Sequence, residues 1–151
     1  MKEYFYEVDL TWNSEGTGTL RSTGLPDIEV VTPPEFVKGK KDKWTPEHML
    51  AGAVSSCLMT TFLSIADHSA LTIIGYKSHC FVKLEQQNGK LEASEILIRP
   101  TITLISEGDL TKAVQVIEKA EQICPVKNAL KLNTGIHPQF EFLSKGEKIK
   151  L

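Results

Sequence analysis

Residues 45–69 constrain the fold of this chain more than any other stretch. Apolar side chains dominate residues 49–66, interrupted by Ser55, Ser56, Thr60, Thr61 and Ser64. Thr45-Pro46-Glu47 precedes them. Threonine accepts hydrogen bonds from free helix N–H groups, proline is preorganised for the first helical position, and glutamate complements the positive end of the dipole. The sequence therefore predicts a helix from Pro46 to about Ser69. It is apolar over much of its circumference, so it is expected to be central and largely buried. The interrupting hydroxyls argue against a membrane span.

The rest of the chain surrounds that helix with strands. Tyr4, Tyr6, Val8, Leu10 and Trp12 alternate with Phe5, Glu7, Asp9 and Thr11, a period of two with one strongly apolar face. Asn13–Gly18 is turn chemistry, and short strands are expected at Thr19–Ser22 and Ile28–Val31, followed by a lysine-rich loop, Thr32–Trp44. After the helix, Ile73–Glu85 and Lys90–Ile105 flank Asn88-Gly89, a strong hairpin signal. Pro100 favours an edge or a bulge in the second of these strands. Asp109–Cys124 is amphipathic, with Ala113, Val116, Ile117, Ala120 and Cys124 on one face. Pro125 ends it and opens a short helical piece, Val126–Leu132, closed by Asn133-Thr134-Gly135. A last strand, Ile136–Leu143, and a lysine-rich tail expected to fray complete the chain. This order gives one α+β domain over residues 1–151, with antiparallel sheets around a long central helix.

Composition narrows the function. The chain has 151 residues with a net charge of −2, so no basic surface favours nucleic acid. The N-terminus shows no apolar signal region, and a cytoplasmic location is the default expectation. In that reducing compartment the three cysteines are expected as free or chemically used thiols rather than structural disulfides. No C-x-x-C or H-x-x-x-H spacing prepares a zinc site, and no metal or cofactor is expected. A cysteine hydrolase needs a histidine base beside its nucleophile, and His48 stands nine residues from Cys57 on the same helix.

Taken singly, Cys57, Cys80 and Cys124 read as small core residues. As a pair, Cys57 and Cys124 lie on apolar faces of two helices, and packed helices approach closely enough for two such thiols to meet. In a reducing environment, meeting thiols form a redox couple.

Trp44-Thr45-Pro46-Glu47-His48-Met49-Leu50-Ala51, followed by Ser55-Ser56-Cys57, resembles the first motif of the OsmC/Ohr family, the osmotically inducible and organic hydroperoxide resistance proteins. Cys124-Pro125-Val126-Lys127-Asn128-Ala129-Leu130 resembles its second motif, 67 positions from the first cysteine. The resemblance implies an OsmC-like fold, an intertwined homodimer and a cysteine-based peroxidase. Cys57 would attack an organic hydroperoxide and become a sulfenic acid. Cys124 would condense with it to a disulfide. A dithiol reductant, lipoyl-protein or thioredoxin-like, would reset the pair. Glu47 matches the family glutamate that orients a cationic group and the substrate.

One departure stands out. Val37 and Glu15 fall near the positions of the family arginine, and the chain has only Arg21 and Arg99. Arg21, Lys38 and His48 are the candidate replacements. A non-enzymatic OsmC-like dimer, binding a small apolar ligand or sensing redox state, is the competing expectation.

Glu47 and Cys57 are ten residues apart, roughly 15 Å along a straight helix at 1.5 Å per residue. Glu47 thus cannot touch Cys57 of its own helix. It reaches Cys57 of a second chain whose helix packs antiparallel, with the two-fold axis near Gly52 between Ala51 and Ala53.

Overall fold

A computed structural model of the chain describes residues 1–143; the lysine-rich tail lies outside the described residues. The chain divides into two compact units, Met1–Met49 and Leu50–Leu151.

The first unit is a three-stranded antiparallel sheet, β1 (Asp9–Ser14), β2 (Thr17–Arg21) and β3 (Ile28–Val31), in the order β1-β2-β3. The strand expected to begin at Tyr4 starts only at Asp9. Among the described residues it pairs with β2 alone, whose last residue, Arg21, lies opposite Asp9. The chain then leaves the sheet toward a turn at Gly24, whose φ of +77° suits glycine. Among the described residues, no strand pairs with the segment before Asp9. The apolar side chains remain in the open, with Tyr6 at 93% and Trp12 at 73% of full exposure.

Helix α1 runs from Pro46 to His68, as its N-terminal signals predict. Its start is fixed by a reciprocal pair of hydrogen bonds. The His48 N–H donates to Thr45 Oγ1 at 3.3 Å, and the Thr45 N–H donates to His48 Nδ1 at 3.2 Å. This is a capping box in which histidine replaces the usual glutamate or glutamine. By length and composition alone α1 is apolar enough to cross a membrane, yet one face of it is packed against protein. The polar side chains bond back to the helix: Ser55 to the Ala51 carbonyl at 2.7 Å and Ser56 to that of Gly52 at 2.6 Å.

The second unit carries the main core. β4 (Ile73–Gln87) and β5 (Lys90–Leu104) form a long antiparallel hairpin. Asn88 and Gly89, at φ +50° and +76°, make the two-residue turn that the sequence announces. A 3₁₀ turn at Glu107–Asp109 leads into α2 (Leu110–Ile123), and a single turn, α3 (Pro125–Asn128), follows. α3 is shorter than the expected Val126–Leu132.

The expected last strand is two, β6 (Asn133–Ile136) and β7 (Gln139–Phe142), with Pro138 at the break, and Asn133-Thr134-Gly135 belongs to β6 rather than to a turn. Both run parallel to β5, so this sheet is mixed, whereas β1–β3 and the hairpin are antiparallel as expected.

Pro100 sits in this central strand rather than at an edge. The Ile98 carbonyl accepts the His137 N–H at 2.9 Å, so Ile98 and, by alternation, Pro100 turn their backbone polar groups toward β6 and β7. β6 has ended and β7 has not begun at that level, so the missing proline N–H costs no ladder bond.

Ile96, Ile98, Pro100, Ile102 and Leu104 form the buried face of β5. Against it pack Val54, Leu58, Phe62 and Ala66 of α1, and Ala113, Val116, Ile117 and Ala120 of α2. The α2 face is the one that its periodicity predicts. α1 is less enclosed than expected: four residues are fully buried, while Ala53, Ser56, Thr60 and Ser64 are exposed. A Cβ built on Gly52 meets nothing within 4 Å. The described residues of a single copy cover one face of this apolar helix.

Candidate functional site

Cys57 and Cys124 come together in the second unit. Cys57 follows Ser55-Ser56 on α1, one residue before buried Leu58, and is half-buried. Cys124 follows the last turn of α2 and has no exposed surface. Its sequence neighbour Pro125 stops α2 and redirects the chain into α3, with Cys124 extended at φ −63°, ψ 109° between the two. Cys57 is close enough to Cys124 to act on its thiol, and both are free.

Burial pushes the Cys124 thiol above its ordinary value. The N–H groups of Lys127 and Val126 face the sulfur and oppose that rise, without the geometry of a full cap hydrogen bond. Cys57 raises the value further, by hydrogen bonding and by charge. Cys124 is thus held in its thiol form beside a second, more accessible sulfur. Two neighbouring free thiols are the elements of a dithiol–disulfide couple.

Two aromatic side chains, Phe62 and Tyr76, pack together in the same unit. Phe62 lies five positions beyond Cys57 on α1, fully buried. Its ring centroid is 5.7 Å from that of Tyr76 on β4. Tyr76 faces the core opposite Ile102. Burial, and secondarily charge on Cys124, push its phenol up to about 12. The Tyr76 hydroxyl oxygen is buried with no hydrogen-bond partner. Sequence reasoning missed Tyr76; its one signal is that it alternates with Ser78, Cys80 and Val82 along one strand face. Cys80 lies opposite Ile98 and packs against the core, where burial raises its thiol.

The remaining sequence candidates have their places in the first unit. Glu47 occupies the first turn of α1, and its Oε2 is enclosed without a partner. Arg21 is committed to Asp27, Nε to carboxylate at 3.0 Å on the surface. His48 is occupied by the capping box and stands edge-on to Trp44, ring centroids 6.0 Å apart. Lys38 lies exposed in the loop at φ +63°. No cluster of three or more metal-ligating side chains occurs among the described residues.

A long apolar helix against a mixed sheet, with a free dithiol between that helix and the next, defines a thiol-bearing α+β protein. Residues 39–138 match the OsmC-like protein family, and the chain belongs to it. It is 23% identical to the uncharacterized protein YmaD of Bacillus subtilis over 152 residues, covering 97% of this chain and all of that one. Its fold is that of an OsmC-like protein of unknown function from Vibrio cholerae, with a TM-score of 0.82 at 20% identity over 90% of this chain and 99% of the other. An organic hydroperoxide resistance protein from Elizabethkingia anophelis superposes with a TM-score of 0.72 at 21% identity, covering 94% of this chain and all of that one.

Proposed function

We propose that the protein is a dithiol-dependent peroxidase for organic hydroperoxides, with Cys57 as the attacking sulfur and Cys124 as the resolving one. The meeting of these two thiols within an OsmC-like fold carries the reading. Members of the fold include hydroperoxide resistance proteins, which supports a redox role. The asymmetry of the pair supports the division of labour: Cys124 is buried with its thiol pushed up, while Cys57 keeps part of its surface exposed.

In the first step the Cys57 thiolate attacks the outer peroxide oxygen. The O–O bond breaks, the alkoxide takes a proton and departs as alcohol, and Cys57 becomes a sulfenic acid. Cys124 then displaces water from that sulfur and forms the disulfide. A small dithiol or a lipoyl- or thioredoxin-like protein returns both thiols by exchange.

The working form is a homodimer. The uncovered face of α1, the empty space at Gly52 and the open apolar side chains of β1 all support a second copy as their cover. Antiparallel crossing of two α1 helices near Gly52 brings Glu47 of one protomer toward the partner's Cys57. The enclosed, unpartnered Glu47 Oε2 is an acceptor suited to a cationic group or to a hydroperoxide O–H at that junction. Of the three candidate cations read from the sequence, Arg21 is paired with Asp27 and His48 with Thr45, and Lys38 stands exposed in the loop before α1. Three free thiols fit a reducing, cytoplasmic setting.

The test is consumption of tert-butyl hydroperoxide with dihydrolipoamide as reductant, hydrogen peroxide run in parallel, and Cys57→Ser as background. Fast, Cys57-dependent turnover that favours the organic peroxide is expected. Turnover no higher than the Cys57→Ser background overturns the reading and leaves a ligand-binding OsmC-like dimer.

A further inference from the structure

We propose that Thr45 and His48 form an acid-sensitive latch on the first turn of α1, which opens when the His48 ring gains a proton and loosens the turn that carries Glu47. The latch stands on the geometry of the helix start alone; only its effect on turnover rests on the peroxidase reading above.

The hydrogen bonds fix which ring nitrogen is bare. The Thr45 N–H donates to His48 Nδ1 at 3.2 Å, so Nδ1 presents a lone pair and the ring hydrogen of the neutral form sits on Nε2. The Thr45 hydroxyl, 2.8 Å from the same nitrogen, donates to it and accepts the His48 N–H at 3.3 Å. A proton on Nδ1 turns that nitrogen from acceptor to donor. The hydroxyl contact can reverse its direction. The backbone N–H cannot, and it loses its partner. Thr45 is only 3% exposed, so water is a poor replacement, and an unpaired buried donor is costly. The new charge also stands at the positive end of the α1 dipole, where a cation is disfavoured. Glutamine, a usual residue at this place in a capping box, accepts through oxygen and does not titrate. Histidine is the side chain that changes charge near neutral pH.

The peptide group involved is held from both sides. Its carbonyl, that of Trp44, accepts the Val31 N–H of β3 at 2.9 Å, and its N–H is the one bonded to His48. Opening the latch therefore frees one side of the link between β3 and the helix start. Protons reach the ring, since His48 is exposed. The charged groups around it are few. Lys43, next to Trp44, is paired with Glu29 of β3 at 3.4 Å, Asp42 lies exposed in the loop, and Glu47 precedes His48 on the same turn. Among the described residues, no carboxylate forms an ion pair with His48.

His48→Gln tests this, because glutamine keeps an acceptor for the Thr45 N–H and carries no titrating group. Wild-type and variant protein are followed by amide NMR from pH 8 to pH 5, and their turnover of tert-butyl hydroperoxide with dihydrolipoamide is measured over the same range. In the wild type the Thr45 amide proton is expected to move upfield with the midpoint of the His48 ring, its exchange protection falling about tenfold, the worth of one hydrogen bond. In the variant it should hold still. The ratio of wild-type to variant turnover should fall with pH, since losses common to both proteins cancel in it. A Thr45 amide that does not follow the His48 ring, or that moves equally in His48→Gln, overturns the latch. A flat turnover ratio beside a titrating amide overturns its link to Glu47. If wild-type protein consumes no peroxide, the peroxidase reading fails, while the amide titration still decides the latch.

Discussion

Thr45 and His48 hold each other at the start of α1, the hydroxyl and the imidazole nitrogen 2.8 Å apart and each side chain also bonded to the other residue's backbone N–H. The pairing makes His48 a structural residue. Replacing it with alanine frees the Thr45 N–H and is expected to cost about 1 kcal/mol. Glutamine, the usual partner in this arrangement, should restore most of that loss. Urea denaturation of the two variants beside wild type decides the point, and equal stability of all three would remove the cap from the account.

Cys124→Ser should still reduce one equivalent of hydroperoxide, because Cys57 is unchanged. The product then stops as sulfenic acid and over-oxidises with excess peroxide. Mass spectrometry after one and after ten equivalents reads this directly. Wild-type multiple turnover in the variant would take Cys124 out of the mechanism.

Gly52 should tolerate leucine within the folded chain, since its added carbon starts in open space and glycine is a poor helix former. The same change should disrupt the proposed helix crossing between protomers. Circular dichroism is expected to stay native while light scattering shows the monomer. A dimer persisting in Gly52→Leu would move the contact elsewhere.

Alkaline pH should destabilise the fold in two stages. Cys80, Cys124 and Tyr76 all bind their protons more tightly folded than unfolded. Their contributions are therefore complete below the ordinary values and disappear as pH rises past them. The loss begins above 9.0 for the cysteines and runs from 10.0 to about 12 for Tyr76. Tyr76→Phe should abolish the upper stage alone, read from urea midpoints between pH 8 and 11.5.

Phe62→Ala removes a fully buried ring from the wall between α1 and β4. A loss of about 3–5 kcal/mol is expected in chemical denaturation. A loss under 1 kcal/mol would mean that the site collapses around the gap.

Much of this molecule was legible where local chemistry decides the structure. Thr45-Pro46-Glu47 announced α1, Asn88-Gly89 announced the hairpin turn, and the periodicity of Ala113, Val116, Ile117 and Ala120 named the buried face of α2. What misled were features decided by distant partners. Tyr4–Val8 alternate like a strand, yet β2 turns away before reaching them. Pro100 looked like an edge residue because nothing local reveals that β6 and β7 leave a gap opposite it. The apolar circumference of α1 suggested burial, whereas the described residues of a single copy enclose one face. At the site, Cys57 and Cys124 were legible through the family motifs, and their asymmetry was not, since it arises from how Pro125 seats Cys124 in the core. Tyr76 carries no motif at all.

The parallel strands that follow Cys124 also set the order in which the protein can become competent. The β4–β5 hairpin closes through a two-residue turn and needs only its own neighbourhood. β6 and β7 pair with β5 across some 38 residues, after α2 has formed and docked. Cys57 is thus translated well before Cys124. On the proposed mechanism, a chain still emerging from the ribosome carries an unguarded thiol, and a peroxide that oxidises it there leaves a sulfur with no resolving neighbour.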